Sequence, residues 1–206
     1  MRAVIALKLA DFIPDVKADF IGADKGALFL AKKGIHMKLA IGDFDSVEEN
    51  DIEKIRTCTD ELVRLNPVKD DSDSEAAIVA ALERGYDEIW LAGATGGRMD
   101  HSLVNIRLAY KYPGKIWLCD DQNLIYTLCP GRHEIEKDSF PYISFFTEDG
   151  AEITLEGFRY PLKDRELTRN DLYTVSNEIE KDKGTVIVEK GTVLVMQCRD
   201  SKSEKM

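Results

Sequence analysis

Met37-Lys38-Leu39-Ala40-Ile41-Gly42-Asp43-Phe44-Asp45-Ser46 is a largely apolar run that ends in two carboxylates with one phenylalanine between them. A strand is the natural reading of 37–41. Two like charges this close are unfavourable unless water or a cation screens them. In an extended segment, residues two apart point the same way, so Asp43 and Asp45 are expected to face one cation while Phe44 turns into the core. Magnesium takes oxygen ligands, keeps several waters and usually meets phosphates at the same site. Carboxylates without a His or Cys cluster suit Mg²⁺ better than Zn²⁺.

Outward from this stretch, short apolar runs alternate with helical patterns. Strands are expected at 3–9, 19–23, 37–41, 61–65, 88–93 and 115–120, and helices at 25–33, 48–57, 73–84 and 100–111. Gly34 and Gly85 sit where C-cap glycines belong. Such alternation implies an α/β domain with a mostly parallel, Rossmann-like sheet covered on both faces. After about residue 129 the pattern changes to β-rich runs at 142–147, 151–155, 184–189 and 192–198, punctuated by Gly150, Gly157, Gly184 and Gly191. Lys190-Gly191 between two β-branched runs is a hairpin signal, and 161–178 reads as an irregular connection. The expected organisation is therefore an α/β domain over 1–128 and a small all-β, sandwich-like domain over 129–206.

Composition narrows the function. The chain has 206 residues, 44% of them hydrophobic and 32% charged, as in a globular protein. A net charge of −10 argues against a broad basic face for nucleic acid. An anionic substrate would need a local cation or helix N-termini. Cys58, Cys119, Cys129 and Cys198 are scattered, with no CxxC pair. Neither a zinc site nor a disulfide framework is suggested, and a reducing cytoplasm is the expected setting. Residues 3–9 read as a first strand rather than a signal peptide. No run reaches the roughly 18 apolar residues that span a membrane.

Ligands of open parallel sheets sit beyond the carboxyl ends of the strands. Acidic residues cluster there: Asp24 in "GADKGA", Asp43 and Asp45, then Asp70, Asp71 and Asp73 in "VKDDSDSEAA", and Asp100 after "WLAGATGGRM". Each alone reads as a loop acid or helix cap; together they favour a cation site. Ser72 and Glu75 form a capping box. "GATGGRMDHSLVNI" combines three glycines, which let the backbone approach a ligand, with Arg98 and a helix start. It is neither a Walker A loop nor GxGxxG. His101 in isolation is more often a hydrogen-bonded structural histidine than a general base, and Asn105 reads as a polar contact or a helix-surface residue. No nucleophile motif is present.

"GDFDS", "KDDSDSEAA", "GATGGRMDH" followed by "LVNI", and late "VSNE" occur in this order. Together they resemble the thiamine pyrophosphokinase family, from about Gly22 to Val195. The resemblance implies transfer of the pyrophosphoryl group of ATP to the hydroxyl of thiamine, giving thiamine diphosphate and AMP. It implies Mg²⁺ and the triphosphate at Asp43, Asp45 and Asp73, with Asp24 in the same acidic cluster and Ser72 where the family has Ser or Thr. Thr95, Arg98 and Asp100 would line the nucleotide and reaction site. Asp73 or Asp100 would assist the thiamine hydroxyl. Ser176 and Asn177 would meet the thiamine pyrimidine, across the interface of a homodimer. Two departures stand out: "ALKLADFIPD" lacks the family's glycine-rich turn, and Lys25 stands where the family favours Gly. A Mg²⁺-dependent phosphohydrolase and a non-catalytic thiamine or nucleotide sensor are the rival readings.

Overall fold

The computed structural model of the chain describes residues 1–66 and 72–201; Asp70 and Asp71 lie outside them. The chain divides into two compact units, Met1–Leu108 with Ile116–Asp120, and Ala109–Lys115 with Asp121–Met206.

The first unit carries β1 (Arg2–Ala6), β2 (Asp19–Ala23), α1 (Lys25–Lys32), β3 (Leu39–Gly42), α2 (Glu49–Thr57), β4 (Leu62–Arg64), α3 (Asp73–Glu83), β5 (Glu88–Ala92), the start of α4 (Met99–Lys111), and β6 (Ile116–Cys119). Its strands lie in the order β4-β3-β2-β1-β5-β6, and every pairing is parallel. Ile5 stands opposite Ile21 and Leu91, and Leu91 opposite Leu118, all fully buried. Such near-continuous apolar strands are what burial on both faces requires. The chain runs outward from β1 to β4 and then returns to β5 on the other side of β1. That reversal marks the crevice where an open α/β sheet receives ligands.

Helix ends follow the local sequence. At α1, the Gly34 N–H donates to Ala31 O and the Ile35 N–H to Leu30 O, with Gly34 at φ 69°. At α3, Gly85 and Tyr86 repeat this pattern onto Leu82 and Ala81. Both are Schellman closures, which need the left-handed residue that glycine supplies most easily.

The second unit holds β7 (Asn123–Leu128), β8 (Gly131–Glu136), β9 (Tyr142–Phe146), β10 (Ala151–Glu156), β11 (Leu162–Leu167), β12 (Lys183–Gly191) and β13 (Val193–Cys198). They form two antiparallel groups, β7-β13-β9 and β11-β10-β12-β8. Phe145 on β9 meets Phe158 edge to face at 5.6 Å between ring centres, both fully buried.

Two sequence expectations need correction here. Lys190-Gly191 is not a hairpin turn: β12 pairs with β10 and β8, whereas β13 pairs with β7 and β9. Gly191 instead carries the chain from one group of strands to the other at φ 82°, and a Cβ there would lie 2.2 Å from Gly150 O. The connection over 161–178 is not wholly irregular, because β11 lies within it. Lys163, Asp164, Arg165 and Glu166 are exposed on that strand, so no apolar alternation betrays it.

Candidate active site

The acidic side of the site is built at the ends of β2 and β3 and the start of α3. Asp24 adopts φ 48° directly before α1. Its N–H donates to Ile41 O at 3.0 Å, and its carbonyl accepts the Ala27 N–H at 3.0 Å. Its Oδ1 accepts the Phe44 N–H at 3.2 Å. The carboxylate lies against Gly42, where a Cβ would fall 1.8 Å from Oδ1. Gly42 is thus a site residue by virtue of having no side chain.

Phe44 is buried, as its sequence position implies, but the segment is not extended. Phe44 has left-handed backbone at φ 57°, and the Asp45 N–H donates to Asp43 Oδ1 at 3.0 Å. The Asp24 carboxylate accepts the Phe44 N–H at the point where the chain bends. Asp43 is half-buried, whereas Asp45 is exposed. The two do not share a face by strand alternation.

Asp73 opens α3. Ser72 caps that helix, its Oγ accepting the Glu75 N–H at 3.2 Å. Burial first, and then the Asp73 charge, push the Asp24 carboxyl up to about 6; a hydrogen bond with Asp73 and the Asp43 charge add to the rise. Asp24 is therefore within hydrogen-bonding reach of Asp73 and feels the Asp43 charge. Among the described residues, no three His, Cys, Asp or Glu side chains form a ready-made metal cage. A crowded, all-oxygen set that leaves ligand positions to water or phosphate fits Mg²⁺, which seldom uses an all-protein cage.

The glycine-rich side follows β5. Gly93, Gly96 and Gly97 all have positive φ. A Cβ on Gly93 would lie 2.2 Å from Ala10 N, so that glycine lets this loop meet the one after β1. That latter loop begins early, because β1 stops at Ala6 and the Ala10 N–H closes a turn onto Leu7 O. The Thr95 hydroxyl donates to Asp120. Arg98 and Asp100 pair with each other through two hydrogen bonds, and their side chains are 75% and 60% exposed. The Arg98 guanidinium holds the Asp100 carboxyl below its usual range, and Asp100 raises Arg98 in turn. The His101 N–H donates to Asp100 Oδ1 at 3.0 Å. Asn105 is not a helix-surface residue but is buried.

In the second unit, Ser176 is exposed and left-handed at φ 54°, and its N–H donates to Ser144 Oγ at 3.0 Å. Asn177 is buried. Its Oδ1 accepts the Tyr160 and Glu178 N–H groups at 3.0 and 2.9 Å, and its Nδ2 donates to Tyr160 O at 2.9 Å. The carboxamide therefore holds the protein's own backbone. Sequence reasoning missed Asp120 and Gly42. A strand-terminal acid and a glycine before a carboxylate are the signals that point to them.

Fold and site define a two-unit chain: a parallel α/β unit that delivers acidic residues and a glycine-rich loop to one end of its sheet, and an antiparallel β unit. Residues 16–118 match the family model described as thiamin pyrophosphokinase, catalytic domain. Residues 132–193 match thiamin pyrophosphokinase, vitamin B1 binding domain. The chain is 41% identical over 187 residues to the thiamine pyrophosphokinase of Bacillus subtilis, covering 88% of this chain and 87% of that one. A crystal structure of thiamine pyrophosphokinase from Bacillus subtilis superimposes with a TM-score of 0.86 at 34% identity, covering 98% and 100% of the two chains. A thiamin pyrophosphokinase family protein from Enterococcus faecalis gives 0.87 at 29% identity, covering 97% and 99%. The chain belongs to the thiamine pyrophosphokinase family.

Proposed function

We infer that this chain is an ATP-dependent thiamine diphosphokinase. The observation that carries the reading is the crowding of Asp24 by Asp73 and Asp43 at the sheet's carboxyl end, in a chain of this family. The thiamine hydroxyl oxygen attacks the β-phosphorus of ATP. The bond from that phosphorus to the oxygen bridging to the α-phosphorus breaks. AMP leaves, and the hydroxyl proton passes to a carboxylate, Asp73 or Asp100. Such a transfer depends on positioning and charge neutralisation rather than a protein nucleophile.

Asp43, Asp45 and Asp73 would hold Mg²⁺, with Asp24 beside them. When bound, the ion neutralises phosphate charge. Arg98 is 75% exposed and offers a forked donor to a phosphate oxygen in exchange for Asp100. Thr95 and Ser72 flank the nucleotide at the loop after β5 and the head of α3. The division of labour we propose is an α/β catalytic domain over 1–128 and an all-β thiamine-binding domain over 129–206. Ser176 presents its hydroxyl to the thiamine pyrimidine, and Asn177 backs it.

The working form is a homodimer with the thiamine site at the interface. Exposed Met99, Leu103 and Val104 on α4 support this, as do exposed Tyr160, Leu172, Tyr173 and Val175 in the β unit. All four cysteines are free, in keeping with the cytoplasm. Among the described residues no helix is long and apolar enough to cross a membrane.

The test is a product assay with Mg²⁺, ATP and thiamine, resolved by mass spectrometry. Thiamine diphosphate and AMP in equal amounts support the reading. Thiamine monophosphate with ADP, or ATP breakdown with no thiamine product, overturns it.

A further inference from the structure

Asn105 lies on α4, outside the groups given a chemical role, yet it is only 6% exposed. A buried carboxamide is costly unless both its ends are hydrogen-bonded. Asn105 Nδ2 donates to Ala94 O at 2.7 Å, in the loop after β5. Its Oδ1 accepts the Ser74 hydroxyl at 2.8 Å, in the first turn of α3. Ser74 Oγ in turn lies 3.2 Å from Oγ of Ser72, the residue that caps α3. One side chain therefore joins two segments that are far apart in sequence. On one side is the loop that leads to Thr95 and Arg98; on the other is the turn that carries Asp73.

The loop contains Gly93, Gly96 and Gly97, all at positive φ, and glycine-rich backbone is intrinsically permissive. The loop has two further side-chain tethers: the Thr95 hydroxyl on Asp120 and the Ser102 hydroxyl on Gly96 O at 3.3 Å. Neither reaches α3. Asn105 alone among these ties spans both sides.

We propose that Asn105 is a positioning residue that locks the loop after β5 to the first turn of α3, fixing the register between the Arg98 and Asp73 sides of the site. This rests on the diphosphokinase reading for its consequence, since a polyphosphate must touch both sides at once. It does not rest on that reading for the lock itself. Small displacements of positioned groups are costly in such transfers.

The experiment uses the full-length chain and three variants. Ser74→Ala removes only the α3 arm of the lock, Ser74→Thr keeps a hydroxyl there, and Asn105→Leu removes both arms. In the absence of substrates, hydrogen exchange is read at the two amides that bracket the loop, Gly93, which donates to Cys119 O at 3.3 Å, and Ser102, which donates to Arg98 O at 3.3 Å. Ser74→Ala, altered on α3, is expected to speed exchange in that distant loop about fivefold, the equivalent of one lost hydrogen bond. With substrates, Ser74→Ala is expected to lower kcat about tenfold while KM for thiamine changes little. Ser74→Thr restores both readouts. If Asn105→Leu folds, the double variant with Ser74→Ala should be no worse than Asn105→Leu alone, as one shared lock requires.

Unchanged exchange at Gly93 and Ser102 of a folded Ser74→Ala protein overturns the lock, whatever the activity. Faster exchange with undiminished kcat overturns its part in the reaction. A wild-type chain that forms no thiamine diphosphate overturns the functional reading instead, and the exchange result still decides the lock.

Discussion

The acidic crevice of the first unit and the Ser176–Asn177 corner of the second solve opposite electrostatic problems. In the crevice, Asp24 is partly desolvated beside two other carboxylates and its carboxyl rises to about 6. That arrangement costs stability in the free protein, and it persists because the surrounding backbone fixes it: Asp24 is held by Ile41, Ala27 and Phe44. In the corner, both polar ends of Asn177 have partners, while Ser176 beside it is exposed. On the function proposed above, a site that gathers a cation and a polyphosphate leaves charge unbalanced, whereas one that meets a neutral ring edge can balance itself and keep one group for the ligand.

The sharpest way to break this contrast is to remove charge from the crevice. Asp43→Ala and Asp73→Asn should each lower kcat by about a thousandfold, as loss of a preorganised charged group does. The variants should fold normally by circular dichroism, and near-wild-type turnover in either would remove it from the metal assignment.

The corner should respond in stability instead. Asn177→Leu strands the Tyr160 N–H and carbonyl together with the Glu178 N–H, and should cost about 2–4 kcal/mol in urea unfolding. A loss under about 0.5 kcal/mol would mean that the carboxamide is dispensable to the corner. Ser176→Ala should instead raise KM for thiamine about tenfold and leave KM for ATP unchanged, in line with one lost hydrogen bond to substrate. The reverse pattern would move Ser176 to the nucleotide.

The smallest effect sharpens the contrast from the other side. Asp24→Asn retains an oxygen for the Phe44 N–H but removes one of the mutually repelling charges. In the presence of EDTA it should stabilise the protein by about 1 kcal/mol at pH 7.5, read as a melting shift of a few degrees. Its activity should fall at the same time. A destabilised, EDTA-treated Asp24→Asn protein would show that the crowding is not the cost inferred here.

Most of the α/β unit was legible because its signals are local and repeated. Apolar runs mark strands, and Gly34 and Gly85 close helices where C-cap glycines should. The Ser72 cap was legible for the same reason. The β unit was less so. The charged edge strand β11 carries no alternation, and Gly191 looks like a hairpin glycine although it redirects the chain between two sets of strands. Within the site, the acidic residues could be listed from sequence, and the family resemblance grouped them. What strand alternation could not give is the local geometry: Phe44 is left-handed, so Asp43 and Asp45 do not alternate as in an extended strand. Asn105 was ambiguous because its partners, Ser74 and Ala94, are remote in sequence.

The central claim is that two phosphoryl groups leave ATP together. Supplying ATP labelled at the β-phosphorus, and separately at the γ-phosphorus, tests it most directly. Both labels should appear in the thiamine product in equal measure, with unlabelled AMP released. A thiamine product that carries the γ label alone, with the β label left in ADP, would contradict it.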